Sequence, residues 1–208
     1  MNKPSCHGLY AITDAWLIPD HCLTVAVEQA ILGGARLIQY RDKSHDGARR
    51  LTQATGLNEL CQRHAVPLII NDDVELAARA GAAGVHVGKD DPSFATARAR
   101  LGGDAIIGVS CYDRLDLALE AARAGADYVA FGAFFPSPTK PTEIRASIEL
   151  LRDARAALNL PIVAIGGITP DNAPLLLDAG ADALAVVSGV FGQPDIQAAA
   201  RRYAALFA

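Results

Sequence analysis

Residues 161–188 read PIVAIGGITPDNAPLLLDAGADALAVVS. A β-branched run, Pro161–Ile165, leads into a glycine turn. Asp171–Ala179 follows with helical spacing, then Ala179-Gly-Ala-Asp, then a second apolar run, Ala183–Ser188. Strand, helix and strand of these lengths make a βαβ unit whose two strands lie parallel. Glycine at a helix end adopts the left-handed backbone that stops the helix, and small residues beside it let helix and strand pack closely. The same signature recurs upstream as Gly33-Gly-Ala-Arg, Ala80-Gly-Ala-Ala and Ala124-Gly-Ala-Asp, each just before an apolar run.

The rest of the chain keeps this beat. Further strand candidates are Leu9–Thr13, Leu37–Arg41, Pro67–Asn71, Gly84–Val87, Ala105–Ser110 and Tyr128–Gly132, with helical spacing over Thr24–Leu32, Ala48–His64, Asp116–Ala124 and Glu143–Leu158. Eight parallel strands form either a closed barrel or an open doubly wound sheet. No Gly-x-Gly-x-x-Gly turn follows the first strand, where an open dinucleotide-binding sheet would carry one. The units are short and even, and polar residues gather after many different strands. The pattern therefore predicts an α/β fold, a single (βα)8 TIM barrel with a parallel eight-stranded closed sheet, as one catalytic domain over residues 1–208. Phe134–Pro141 is the one long connection in the pattern.

With 208 residues, 51% hydrophobic and 20% charged, the chain can bury a large core. Its formal net charge of -4 argues against a nucleic-acid or anionic-membrane surface, so any bound anion must be caught by local groups. No apolar run is long enough to span a bilayer, and Met-Asn-Lys-Pro-Ser-Cys-His at the start lacks the apolar core of a signal peptide. A cytoplasmic protein is expected, acting on small molecules without nucleic acid or membrane, with a homo-oligomer left open. Cys6, Cys22, Cys61 and Cys111 are scattered without metal-site pairing and read as reduced, mostly buried thiols.

Side chains alternate along a strand, so Leu37, Gln39 and Arg41 share one face, with Lys43 just beyond the end. If Leu37 lies in the barrel core, Gln39 and Arg41 point into its upper mouth. A guanidinium there needs an anion or a carboxylate: either a bound ligand or an internal Arg–Asp pair. Asp72 and Asp91 follow the neighbouring strands three and four, close enough to share one hard cation such as Mg²⁺. Each alone is equally at home as a helix N-cap, Asp91 especially because Pro92 follows it. His86 reads as a packed, hydrogen-bonded histidine, and Ser110 as a ligand contact or a turn hydroxyl. Pro136-Ser137-Pro138-Thr139-Lys140 presents two hydroxyls and an ammonium on a stiffened loop, which reads either as a phosphate grip or as an ordinary proline-rich surface turn. Gly166-Gly167 and Val187-Ser188-Gly189 close strands seven and eight, where barrels frequently bind phosphate through backbone N–H groups.

These motifs, in this order, resemble the thiamine phosphate synthase (thiamin-phosphate pyrophosphorylase) family. The matching stretches are Gln39-Tyr-Arg41-Asp-Lys43, Ile70-Asn71-Asp72-Asp73, His86-Val-Gly88-Lys-Asp-Asp91, Gly108-Val-Ser110, Pro136-Ser137-Pro-Thr139-Lys140, Ile165-Gly166-Gly167-Ile168 and Val187-Ser188. The resemblance implies a transferase joining hydroxymethylpyrimidine diphosphate to hydroxyethylthiazole phosphate, or its carboxylated form, with release of pyrophosphate by a dissociative route. It also implies residue roles. Gln39 and Ser110 would hold the aminopyrimidine. Arg41, Lys43, Asn71, Thr139 and Lys140 would grip the diphosphate, and Asp72 and Asp91 would hold one Mg²⁺. Ser137 would lie near the thiazole end, and Gly167, Val187 and Ser188 would take the thiazole phosphate. Catalysis would fall chiefly on Lys140, Arg41 and Ser110.

Two positions depart from the family pattern: Lys89 stands where glutamine is usual, and Tyr112 where histidine is frequent. Two other readings compete. A thiazole tautomerase on the same fold would need no diphosphate grip, and a non-catalytic phosphate-binding barrel would leave the metal and diphosphate set unexplained.

Overall fold

The computed structural model describes residues 6–89, 91–136 and 146–208. Eight parallel strands close into a barrel in chain order, β1 pairing with both β2 and β8. They are β1 (Gly8–Ile12), β2 (Ala35–Tyr40), β3 (Leu68–Asn71), β4 (Gly84–Val87), β5 (Ile106–Tyr112), β6 (Tyr128–Gly132), β7 (Ile162–Ile165) and β8 (Ala183–Val186). Around them run α1 (Leu23–Leu32), α2 (Gly47–Arg63), α3 (Val74–Ala80), α4 (Phe94–Leu101) and α5 (Leu115–Ala124). The ring continues with α6 (Ile148–Ala157), α7 (Ala173–Asp178), the single turn α8 (Ser188–Phe191) and α9 (Ile196–Ala204). Among the described residues no helix is long and apolar enough to cross a membrane.

The expected parallel barrel is thus the observed one, and differences fall at element ends. The pattern ends the fifth strand at Ser110, but β5 runs on to Tyr112, with a register shift against β6 between Ser110 and Tyr112. An extra residue in one strand of a pair re-aims the side chains beyond it, and here both Ser110 and Tyr112 face the mouth of the barrel. The pattern also carries the eighth strand to Ser188. β8 stops at Val186 instead, because Val187 (φ -107, ψ -87) leaves the extended region and starts α8.

The two Ala-Gly-Ala-Asp repeats make the same brace twice. Asp127 accepts from the β5 backbone at Ile107 N (2.8 Å) and from Arg98 of α4 (2.7 Å). Asp182 accepts from the β7 backbone at Ile162 N (2.7 Å) and from Arg155 of α6 (2.9 Å). Each carboxylate therefore ties the start of its own strand to the preceding strand and that strand's preceding helix. Gly81 and Gly125 in the repeats take the left-handed helix-ending conformation, with φ of 65° and 92°.

Two apolar layers result. The larger lies between the sheet and the helices, and includes Ile38, Leu57, Leu68, Phe131 and Leu184. The smaller fills the barrel itself with Tyr10, Leu37, Ile69, Ile106, Tyr128 and Val163, among others. Two tyrosines fit there because their neighbours are small. A Cβ on Gly108 would stand 1.9 Å from Tyr128 Cζ, so only glycine admits the ring. Cys6, Cys61 and Cys111 are buried, Cys22 is half-buried, and all four are unpaired thiols.

Gly108→Ala should cost about 3 kcal/mol, through overpacking that the surrounding sheet cannot relieve. By contrast Gly56→Ala, in the interior of α2 with open space at its Cβ, should stabilise by roughly 0.5 kcal/mol or more. Urea denaturation of both variants checks the pair, and equal effects would contradict the packing described.

Candidate active site

The carboxyl ends of the strands surround a cavity of about 600 Å³. Gln39 and Ser110 sit at its floor, with Arg41, Asn71, Asp72 and Asp91 on one side and Gly166–Ile168 with Val187–Gly189 on the other. This is where residues from separate strand ends converge in such barrels. The inward parity of β2 holds: Leu37 lies in the barrel interior, Gln39 is buried above it, and Arg41 lines the mouth.

Arg41 is anchored by Asp14, its Nη1 lying 2.9 Å from Oδ2. Asp14 is only 4% exposed and also accepts from Trp16 N at 2.9 Å. The internal pair and the cavity-facing guanidinium are therefore both real: Asp14 aims Arg41 into the cavity. Lys43 bridges to Asp72. Asp42, on the outward parity, pairs instead with Arg49 at 2.7 Å, behind the wall.

The capping alternative for the two site aspartates is settled by their neighbours. Asp73 caps α3 by accepting from Leu76 N, and Ser93 caps α4 by accepting from Thr96 N. Asp72 is left to the cavity, on a left-handed backbone (φ 63°) with its N–H on His86 O at 2.8 Å. Asp91 accepts from Gly88 N at 2.7 Å and faces Asp72. Burial, and then the facing Asp72 carboxylate, hold the Asp91 carboxyl above its ordinary range, while the Gly88 N–H and Lys43 oppose this. A carboxylate held above its ordinary range by burial and a facing carboxylate marks a place where a cation is favoured.

The two departures from the family pattern meet here, since Lys89 N donates to Tyr112 Oη at 3.2 Å. His86 is, as expected, packed and hydrogen-bonded. Its ring stacks on Tyr128 (centroids 5.5 Å) between Tyr128 Oη and Ser110 Oγ, and burial depresses its pKa to about 4.

On the opposite wall, the turn after β7 is pressed against the segment that follows β6. A Cβ on Gly167 would lie 2.4 Å from Pro136 O, and Phe135 N donates to Gly166 O at 3.0 Å. Tyr203 of α9 supports this wall from behind. Its hydroxyl donates to Ile168 O at 3.0 Å, and a Cβ on Gly189 would come within 2.2 Å of that hydroxyl. One phenol thus braces both backbone turns at the ends of β7 and β8. Asp14 and Tyr203 escape the sequence pattern: Asp14 lies just past an apolar run, and the Tyr203 hydroxyl follows Arg201 and Arg202 on an Ala-rich helix whose spacing does not set it apart.

Of the sequence-selected residues, Gln39, Arg41, Lys43, Asn71, Asp72, Asp91, Ser110, Gly167, Val187 and Ser188 all line this one cavity. Ser137, Thr139 and Lys140 lie outside the described residues.

Comparison with known proteins agrees with the site. Residues 9–190 match the family described as thiamine monophosphate synthase. The chain belongs to that family. The thiamine-phosphate synthase of Nitrosococcus oceani is 57% identical over 199 residues, covering 96% of this chain and 92% of that one. The thiamine-phosphate synthase of Thioalkalivibrio sulfidiphilus is 56% identical over 200 residues, covering 96% and 95%. Among solved structures, the thiamine phosphate pyrophosphorylase of Pyrococcus furiosus superposes with a TM-score of 0.86 at 34% identity, covering 96% of this chain and 95% of that one. Coverage this complete means that the barrel of this synthase family is present from first strand to last.

Tyr203→Phe should lower stability by about 1 kcal/mol, as the Ile168 carbonyl loses its buried partner. The loss should be local to the turn after β7. Hydrogen exchange at the amides of Ile168 and Thr169 should quicken roughly tenfold or more, while exchange in β3 stays unchanged. Uniform acceleration throughout the barrel would contradict a bracing role.

Proposed function

We infer that this chain synthesises thiamine phosphate, joining an aminopyrimidine methyl diphosphate to a hydroxyethylthiazole phosphate and releasing pyrophosphate; with the carboxylated form of the acceptor, carbon dioxide is released as well and the ring carbon it leaves takes up a proton. The family and relatives above 50% identity support the transferase activity and disfavour the tautomerase and binding-barrel readings. The observation that carries the substrate assignment is the division of one cavity into three parts. A cationic and acidic rim at Arg41, Lys43, Asp72 and Asp91 faces a backbone-lined wall at Gly167, Val187 and Ser188, with a polar floor at Gln39 and Ser110 between them.

Each part suits one piece of chemistry. The floor binds the aminopyrimidine. Arg41 and Lys43, with Asn71, receive the diphosphate; the sequence resemblance assigns Thr139 and Lys140 to the same group and Ser137 to the thiazole. Asp72 and Asp91 fit one Mg²⁺, because a two-carboxylate site leaves positions for water and phosphate oxygens, which is the usual habit of that ion. When bound, the ion neutralises charge on the leaving pyrophosphate.

The bond from the pyrimidine methylene carbon to the diphosphate oxygen breaks, and its electron pair leaves with pyrophosphate. The aminopyrimidine carries the resulting cation until the thiazole nitrogen supplies the pair for the new C–N bond. Such a step needs stabilised charge, an aligned acceptor and exclusion of water rather than a protein nucleophile. Arg41, aimed by Asp14, supplies fixed positive charge. The wall braced by Tyr203 holds the acceptor phosphate. A small-molecule enzyme acting in the cytoplasm, independent of nucleic acid and membrane, agrees with the acidic composition.

Thiamine phosphate formation by the purified protein, with both substrates and Mg²⁺ and with a chelated control, tests the reading. Metal-dependent product with stoichiometric pyrophosphate is expected, and folded protein giving neither would overturn it. Asp72→Asn and Asp91→Asn should each cut kcat/KM on the order of 100-fold and raise the Mg²⁺ needed for half-activity. Lys140→Ala should lower kcat by roughly 100-fold with little change in KM, since its charge is needed as the leaving group departs. A raised KM with unchanged kcat would remove Lys140 from that role.

A further inference from the structure

An unbroken chain of hydrogen bonds crosses the cavity floor from Gln39 to Ser110. Gln39 Nε2 donates to Tyr10 Oη at 2.8 Å. Tyr10 Oη and Tyr128 Oη are 2.9 Å apart. Tyr128 Oη meets His86 Nδ1 at 3.0 Å, and His86 Nε2 meets Ser110 Oγ at 2.8 Å. The five residues come from five different strands, so the chain exists only in the closed barrel.

Each link dictates the next, because a hydroxyl has one proton to give and a neutral imidazole has one hydrogen on its two nitrogens. Tyr10 accepts from Gln39, so its proton goes to Tyr128. Tyr128 then gives its own proton to His86 Nδ1. The ring hydrogen is thereby placed on Nε2, which donates to Ser110. The Ser110 proton is left for the cavity, and so are the lone pairs of Gln39 Oε1. A doubly protonated ring would donate at both ends and strand the Tyr128 proton. Turning the Gln39 amide over would reverse every link together, so the two ends always carry opposite character. Within such a chain each donor is strengthened by the bond it accepts.

We propose that Tyr10 and Tyr128, acting through His86, are positioning residues. They fix Gln39 as hydrogen-bond acceptor and Ser110 as donor, and so select a heterocycle edge with an amino group beside an unprotonated ring nitrogen. This rests on the assignment of Gln39 and Ser110 to the aminopyrimidine. A pyrimidinone, with oxygen for the amino group and hydrogen on the ring nitrogen, presents the reverse pattern. It can be matched only if all the links turn over at once. Sites that pair buried polar groups with their substrate reject a mismatched one far more strongly than apolar pockets do.

Tyr128→Phe keeps the ring that stacks on His86 and removes the hydroxyl in the middle of the chain. Tyr10→Phe interrupts it one link earlier and serves where the first variant folds poorly. In wild-type protein, ¹⁵N spectra of the His86 imidazole should show a neutral ring with hydrogen on Nε2, and Tyr128→Phe should mix the two tautomers. The KM for the pyrimidine diphosphate should rise roughly fivefold in either variant, with the KM for the thiazole phosphate unchanged. The kcat/KM preference for the aminopyrimidine diphosphate over its pyrimidinone counterpart should fall at least tenfold. The double variant should lose little more than either single one, because one break already uncouples the ends. Hydrogen on Nδ1 in the wild type, or undiminished discrimination in both folded variants, would overturn the proposal. If the wild-type protein does not turn over the pyrimidine diphosphate, the substrate assignment fails on its own, and the change of tautomer on Tyr128→Phe still decides whether the relay exists.

Discussion

Closure of the sheet between β1 and β8 is the constraint on which everything else depends. Once those edges pair, no strand has a free edge, and the interior becomes a fixed volume that side chains from every second position must fill. This barrel fills it with large aromatic rings opposite glycine and alanine. Tyr10 and Tyr128 take the space, while Gly108, Ala130, Ala183 and Ala185 yield it. Filling a barrel with phenols rather than aliphatic chains brings hydroxyls to its axis, and those hydroxyls must be paired. The polar floor of the cavity is the outcome of that packing choice.

The two ends of the barrel divide the work. At the amino ends of the strands, Asp127 and Asp182 join strand starts to helices through backbone and arginine bonds. At the carboxyl ends, charged groups of both signs are crowded together: Asp72 faces Asp91, and Lys43 and Arg41 lie alongside. The facing carboxylates oppose folding and are tolerated because the opposite end and the two apolar layers hold the fold. Asp14 shows how narrow the tolerance is, as it both anchors a cation and remains almost wholly buried.

The architecture was legible in the sequence because its signals are periodic. The β4 and β6 limits are those of their apolar runs, and the alternation Leu37-Gln39-Arg41 placed three side chains on the inner face before any coordinates. Short helices such as α3, α4 and α9 were less legible, since seven to nine alanine-rich residues carry little periodicity. Choosing between Asp72 and Asp73 as the α3 cap was beyond a linear reading, because the answer turns on one positive φ. Tyr10 and Tyr128 were hidden for a different reason. Within an apolar run a tyrosine is indistinguishable from core, and its hydroxyl acquires meaning only from residues on other strands, 29 positions away for Gln39, 42 for His86 and 118 within this pair. Ser110 and His86 were each legible as polar strand residues, but nothing in the linear spacing pairs one with the other.

The Tyr203 brace has a bearing on how the molecule comes into being. Helix α9 packs against α1 and β1 as well as behind the turns that end β7 and β8. During synthesis the strand edges of β1 and β8 can meet only after β8 has emerged, and the turn at Ile168 gains its support only after α9 has followed. Contacts between the earliest and latest elements are the slow ones to form. The turns that end β7 and β8 therefore gain their support late. In a growing polypeptide this wall is completed only when α9 docks behind it.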